Sequence, residues 1–325
     1  MVADPGLLAE WFAAPRAAHL PISSRAERDD CRKAARGARP AGRVNLTLAI
    51  CNSLMLSRAL IVSLVSLLAI LPARAQDSGI KISVKDLQSW DLARADDCNP
   101  TVLREVAGMP LGGEYGTTRV ATVALVRAAH FESGKFFVLP APDSPSFCSG
   151  ATYLVFLKTI EQLERDGRLK LDADTMESLV IHDGQRDGQG IWGRWNANGP
   201  GTARLFYELG LGDNSIDFST ARPGDFMKIF WTSEVGAAEH GHSVIFLGNE
   251  VRDGQDYVRF WSSNVPAGYG EKSVPRSSIA HAIFSRLEKP GNLAHIKTAP
   301  DIDPYLSSLL TAHSSFPEAR AKCGL

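Results

Sequence analysis

The chain has 325 residues, 44% of them hydrophobic and 22% charged, with a formal net charge of −1 at pH 7. That balance is near the globular average and excludes a largely disordered polymer. The sequence shows no internal repeats and no heptads.

Residues 1–54 are rich in Ala, Arg and Pro, as in CRKAARGARPAGR, and carry no sustained periodicity. They are read either as an upstream artefact of translation, with the true start at Met55, or as a disordered extension. Residues 55–75 then have the build of a secretory signal peptide. Arg58 precedes an uncharged stretch from Ala59 to Leu71, followed by Pro72 and the small-x-small triplet Ala73-Arg74-Ala75. Cleavage is expected after Ala75, giving a secreted or periplasmic protein. The apolar core is shorter than the ~20 residues a span needs, so no stable membrane anchor is expected. No cysteine follows the cleavage site, which argues against a lipoprotein.

Residues 1–75 hold ten Lys/Arg and five Asp/Glu, so their removal leaves 25 basic and 31 acidic residues, about −6. A mildly acidic chain is a poor nucleic-acid binder, and no nucleic-acid partner is expected. Three cysteines remain: Cys98, Cys148 and Cys323. An odd count in an oxidising compartment suggests one bridge and one free thiol. From position, a Cys98–Cys323 disulfide is expected to tie the two ends together, with a contribution of roughly 2–5 kcal/mol.

Residues 76–115 read as a lead-in with a short amphipathic segment at Pro100 to Val106. Residues 116–290 read as one domain. In it, VATVALVRAAHFESG predicts a helix from Arg119 to Phe131, ended at Gly134, followed by a short strand at KFFVLP. A buried helix is predicted from Ser146 through ATYLVFLKTIEQLERDG, with Pro145 and Ser146 as first-turn and cap residues and a stop at Gly167. IWGRWNANGPG reads as a Gly/Asn-rich loop leading into a helix from Thr202 to Leu209. DFMKIFW, HSVIFLG and YVRFWSS then read as strands separated by the turns RPGD and NEVRDGQD. Residues 291–325 form a C-terminal helix, Tyr305 to Ala312 after Asp303-Pro304, and a tail. Helices followed by antiparallel strands indicate an α+β fold.

The stretch SFCSGATYLVFL places Cys148 at the mouth of the buried helix. An ordinary thiol, with a pKa near 8.5, is only a few per cent ionised at neutral pH. Unpaired N–H groups and the positive end of the helix dipole favour the thiolate there. The small neighbours Ser149 and Gly150 leave room for a substrate carbonyl, and the Cys148 N–H can face an oxyanion. In EHGHSVIFLG, His242 stands at a strand mouth as a candidate base. At the end of the next strand Ser262, Ser263 and Asn264 are candidates to orient the imidazole. Alternation puts Ser262 and Asn264 on one face and Ser263 on the other. His240 and His242 are two apart, but no third metal ligand is evident. Asp225 reads as a turn residue. Trp192, Trp195, Trp261 and Tyr269, with Trp231, are candidate stacking surfaces for sugar or peptide. Ser78 and Lys81 have a Ser-x-x-Lys spacing but lie beside the cleavage site and are set aside. No Gly-rich phosphate loop is present, and no cofactor or metal is expected.

Cys-Ser-Gly at the head of a buried helix, then Pro223-Gly224-Asp225 before a strand, then His242, Ile245, Leu247 and Gly248 as His-x-x-Ile-x-Leu-Gly, resembles the NlpC-like and CHAP-like papain-fold cysteine hydrolases. The resemblance covers Ser146 to Tyr269. It implies a papain-like core with the nucleophile at a helix N-terminus packed on an antiparallel sheet. It also implies a cell-wall endopeptidase or amidase acting on peptidoglycan or another peptide. Carried over, Cys148 is the nucleophile, His242 the base and Asn264, or alternatively Ser262, the third residue. Phe147 stands where many NlpC-like members carry Asp, and Asp166 to Ala221 is longer than a minimal domain needs. The alternative is a non-catalytic wall- or ligand-binding module on the same fold.

Overall fold

The computed structural model describes residues 97–133 and 135–325. The leader, the signal peptide with its cleavage point and the Ser78–Lys81 pair lie outside the described residues.

Helix α1, Asn99–Ala107, carries Pro100 in its first turn and buries Val102, Leu103 and Val106, matching the amphipathic segment. Helix α2, Arg119–Ala128, is shorter than expected. Ala129 is extended, with φ −136° and ψ 117°. Strand β1, Ala129–Glu132, pairs instead with β2, Lys135–Val138, in an antiparallel hairpin. Alternation in KFFV buries Phe136 and Val138, and a lone strand leaves its backbone groups unpaired. The last turn of the predicted helix is given up to fill that ladder.

Helix α3, Cys148–Arg165, begins two residues later than predicted. Phe147 is its extended cap residue, and Ser146 is not a cap. The Ser146 hydroxyl donates to Ser263 Oγ at 2.8 Å, and its N–H donates to Glu114 O at 2.8 Å. From Ser149 to Leu157 every residue of α3 is buried, and Asp166 and Gly167 close the helix as expected. Helix α4 is Ala173–Glu177, capped by the Asp172 carboxylate. The predicted Gly/Asn-rich loop holds helix α5, Gly190–Asn196, and α6 follows at Gly201–Leu209, ended by Gly210 in the left-handed region. Tertiary bonds hold α5. Arg194 is fully buried and bonds Glu208, Gly188 O, Gly190 O, Asp301 O and Pro300 O.

The main sheet has six strands in the order β3-β9-β4-β6-β7-β8, with every pairing antiparallel. These are β3 Asn214–Ser215, β4 Phe226–Phe230, β6 Gly241–Arg252, β7 Gln255–Asn264, β8 Gly268–Pro275 and β9 His281–Ser285. The expected strands are β4, β6 and β7; β3, β8 and β9 are additional. Asp253 and Gly254, both at positive φ, form the two-residue turn between β6 and β7. Positive φ at both central residues is the type I′ geometry that suits strand twist. Alternation divides the sheet cleanly. Phe226, Ile245, Leu247 and Trp261 join the core of α3, whereas Met227, Ile229, Val244, Phe246, Val258 and Phe260 form a second core on the opposite face. The described chain is therefore α+β.

Past the sheet, α7 spans Pro304–Ser308, shorter than Tyr305–Ala312. Strand β10, His313–Ser314, pairs with β5, Val235–Gly236, before helix α8, Phe316–Lys322. The expected disulfide is corrected. Cys98 and Cys323 are both free and buried, and they belong to separate core clusters, Cys98 with α1 and α3 and Cys323 with Phe230 and Ala319.

Candidate active site

Backbone pairing sets where α3 starts. Tyr115 and Ser146 form a parallel bridge, and Gly116 N–H donates to Ser146 O at 2.9 Å. This holds the chain extended through Phe147, so that Cys148 is the first helical residue. Cys148 keeps part of its surface open. Burial pushes its thiol up. A hydrogen bond with the His242 imidazole, the imidazole's charge, the Ser243 N–H and the Lys228 ammonium outweigh that and bring it from 9.0 down to about 7.

His242 is the second residue of β6 and is 7% exposed. Its Nε2 lies 3.1 Å from Asn264 Oδ1. The Asn264 Nδ2 donates to Gly270 O at 2.8 Å and to Ser262 O at 3.2 Å, which turns Oδ1 toward the ring. An amide oxygen only accepts, so Nε2 carries the proton and Nδ1 is left for the sulfur. The register explains the pairing. Ile245 faces Trp261, and continuing that count toward the strand mouth sets His242 opposite Asn264. Phe260 edge-on at 5.7 Å and Trp231 stacked at 6.3 Å flank the ring.

Ser262, the alternative third residue, does not reach the imidazole. Its hydroxyl is fully buried and donates to Ser243 O at 2.7 Å. It holds the carbonyl of Ser243, the residue whose N–H faces Cys148.

Three groups at the sulfur were not singled out in the sequence. The Tyr115 phenol hydrogen-bonds Cys148, and the thiolate's charge, burial and that bond together push the phenol's own pKa up and keep it protonated. Tyr115 is brought there by long-range pairing: its N–H donates to Pro266 O, and Gly112 bridges Tyr269. Ser243 contributes through its main chain, to which residue type is silent. Lys228 sits opposite Ser243 across β4 and β6. Polar residues within an apolar strand were the one available signal for it.

The proposed stacking surfaces are corrected. Trp192, Trp195, Trp261 and Tyr269 are all buried, at 6% exposure or less. Trp195 Nε1 donates to Ser149 O and Thr152 Oγ1, both at 3.2 Å, and braces the first turn of α3. Trp192 packs on Tyr153, and Trp261 stacks on Tyr269. Each ring fills a core position. Trp231 alone is half-buried, beside His242. Asp225 is the structural turn residue expected: it accepts from the Arg286 guanidinium at 2.8 and 2.9 Å, from Asn99 and from Arg222 N–H. Among the described residues no group of three or more His, Cys, Asp or Glu could hold a metal. No protein-family model, curated protein or solved structure matches the chain.

Proposed function

We propose that the protein is a secreted or periplasmic cysteine hydrolase with a papain-like core, cleaving amide bonds in peptidoglycan peptides. One observation carries this reading: the unbroken line from the Cys148 sulfur to the His242 imidazole to the Asn264 amide. The order of motifs shared with NlpC-like hydrolases supports it and supplies the substrate class.

In the proposed reaction the Cys148 thiolate attacks the carbonyl carbon. A C–S bond forms and the carbonyl electron pair moves to oxygen, beside the Cys148 N–H at the positive end of α3. As the C–N bond breaks, protonated His242 gives its proton to the leaving amine, leaving an acyl-enzyme. Water then loses a proton to His242 and adds to the thioester, and breaking the C–S bond restores the thiolate. Asn264 holds the imidazole in the tautomer both steps use, and the Tyr115 phenol is a second donor at the sulfur.

The test is the release of new amino groups from purified peptidoglycan. Release is expected from the wild-type protein and not from Cys148→Ala of unchanged thermal stability. Release by both removes the thiol mechanism. Binding to the wall without release by either makes the protein a binding module.

A further inference from the structure

Lys228 and Glu239 form an ion pair with side-chain exposures of only 12% and 4%. Taking two charges out of water is costly, so such a pair calls for a reason. Its connections supply one. The other Glu239 oxygen accepts from the N–H groups of Gly199 and Gly236. Gly199 lies in the loop between α5 and α6, three residues beyond Asn196, whose Oδ1 accepts from Ser149 Oγ at 2.7 Å. Ser149 neighbours Cys148 on α3. On the other side Lys228 faces Ser243, whose N–H reaches the sulfur. The ring of contacts thus starts and ends at Cys148. Gly241, directly before His242, is part of the fit. A Cβ there would meet Glu239 Oε1 at 2.7 Å and Lys228 Nζ at 2.8 Å.

We infer that Lys228 and Glu239 act as a positioning pair for the thiol site, clamping the 196–201 loop to the mouth of β6 and keeping a fixed cation within reach of the sulfur. The charge of Lys228 favours the thiolate and so lowers the pKa of Cys148. The groups facing the sulfur are His242, Tyr115, the Ser243 N–H and Lys228. Glu239 is paired with Lys228 and so offsets part of that cation's field. The inference rests on the thiolate reading of Cys148, but not on the protein being a hydrolase.

The experiment is the pH dependence of Cys148 alkylation by iodoacetamide, which needs no substrate. Lys228→Met should raise the midpoint by about 0.5–1 pH unit, a roughly twofold to fivefold loss of thiolate at neutral pH. Glu239→Gln should leave the midpoint in place or lower it, because the cation then acts unopposed. Lys228→Arg keeps the charge and should keep the midpoint. Should Lys228→Met fail to fold with Glu239 left uncompensated, the double variant Lys228→Met/Glu239→Gln removes both charges and should still show the raised midpoint. An unchanged midpoint in Lys228→Met, or in the double variant, overturns the inference. So does an upward shift in Glu239→Gln equal to that in Lys228→Met, which would make the pair mere packing. Loss of wall cleavage alone, with the alkylation shifts as stated, would fault only the proposed function.

Discussion

The thiol at the mouth of α3 and the two thiols inside the cores are the same chemical group in three settings. Cys148 is brought to about 7, whereas Cys98 is pushed up to about 11 and Cys323 to about 12. Burial is the foremost cause at all three, and it always acts upward. Cys148 is also the one with part of its surface open, but the upward effect of burial, shared by all three, is not what separates their ionisation. Cys98 has Arg168 to offset burial but also Asp97 and Glu288 to reinforce it, and Cys323 has Arg204 set against Asp303. Cys148 has an imidazole, a backbone donor and an ammonium, all acting downward. A thiol is activated by the donors aimed at its anion, whether or not it is buried.

The largest expected effect tests that contrast directly. At pH 7 in the folded protein, iodoacetamide should modify Cys148 and spare Cys98. A gap of about four pKa units leaves roughly 10³–10⁴-fold fewer thiolates at the second site. Peptide mass mapping after brief exposure reads the selectivity. Equal labelling of Cys98 would erase the distinction.

Next in size is His242→Ala. It removes the main downward influence while burial stays, so the alkylation midpoint should climb from about 7 toward the ordinary 9.0. The sign is fixed: a thiol titrating higher is more protonated at pH 7, and labelling there should slow by up to about 50-fold. A midpoint that stays near 7 would mean the helix N-terminus, the Ser243 N–H and Lys228 make the thiolate without the imidazole. Asn264→Ala should act more gently. The imidazole keeps Phe260 and Trp231 against its faces but loses the acceptor that fixes its tautomer. Wall cleavage should fall about tenfold, less than the ~10² that a misplacement of 1 Å costs. The alkylation midpoint should move little. A large shift in that midpoint would assign Asn264 an electrostatic role instead.

The residues that bond one another through side-chain chemistry were legible in the sequence, and those placed by distant backbone were not. Cys148, His242 and Asn264 are of the types a thiol site uses, and each sits at the end of an apolar run, so pattern brought Cys148 and His242 forward. The family resemblance picked Asn264, or alternatively Ser262, from the polar residues ending the next strand. Tyr115 reaches the sulfur because Gly112 and Tyr115 bond to Tyr269 and Pro266, far along the chain. Ser243 acts through an N–H that every residue but proline has. Helix α5 was hidden for a related reason: its glycines and asparagine signal a loop, and the bonds of Arg194 to Glu208 and to carbonyls near residue 300 override that preference. The tryptophans were misread because an aromatic residue beside a polar segment fits a stacking platform and a core equally well. Trp195 went inward since its N–H finds Ser149 O and Thr152 Oγ1 there.

The smallest effect on the thiol chemistry comes from the core cysteines themselves. Cys98→Ser and Cys323→Ser should leave both the Cys148 midpoint and wall cleavage unchanged, since neither thiol touches the site. Each places a hydroxyl among apolar neighbours, at a cost of about 1–3 kcal/mol where no partner is found. Urea unfolding should show that loss. It also separates an unbridged pair from a disulfide. With both thiols free, as found, a reductant leaves the wild-type midpoint in urea where it was, and alkylation of the unfolded chain labels Cys98 and Cys323 without prior reduction. Were the two joined, reductant would lower wild-type stability by the roughly 2–5 kcal/mol of a lost bridge. Either serine variant would then cost the same amount and become insensitive to reductant. The size of the loss and its response to reductant therefore decide together whether these cysteines contribute as packing or as a covalent tie.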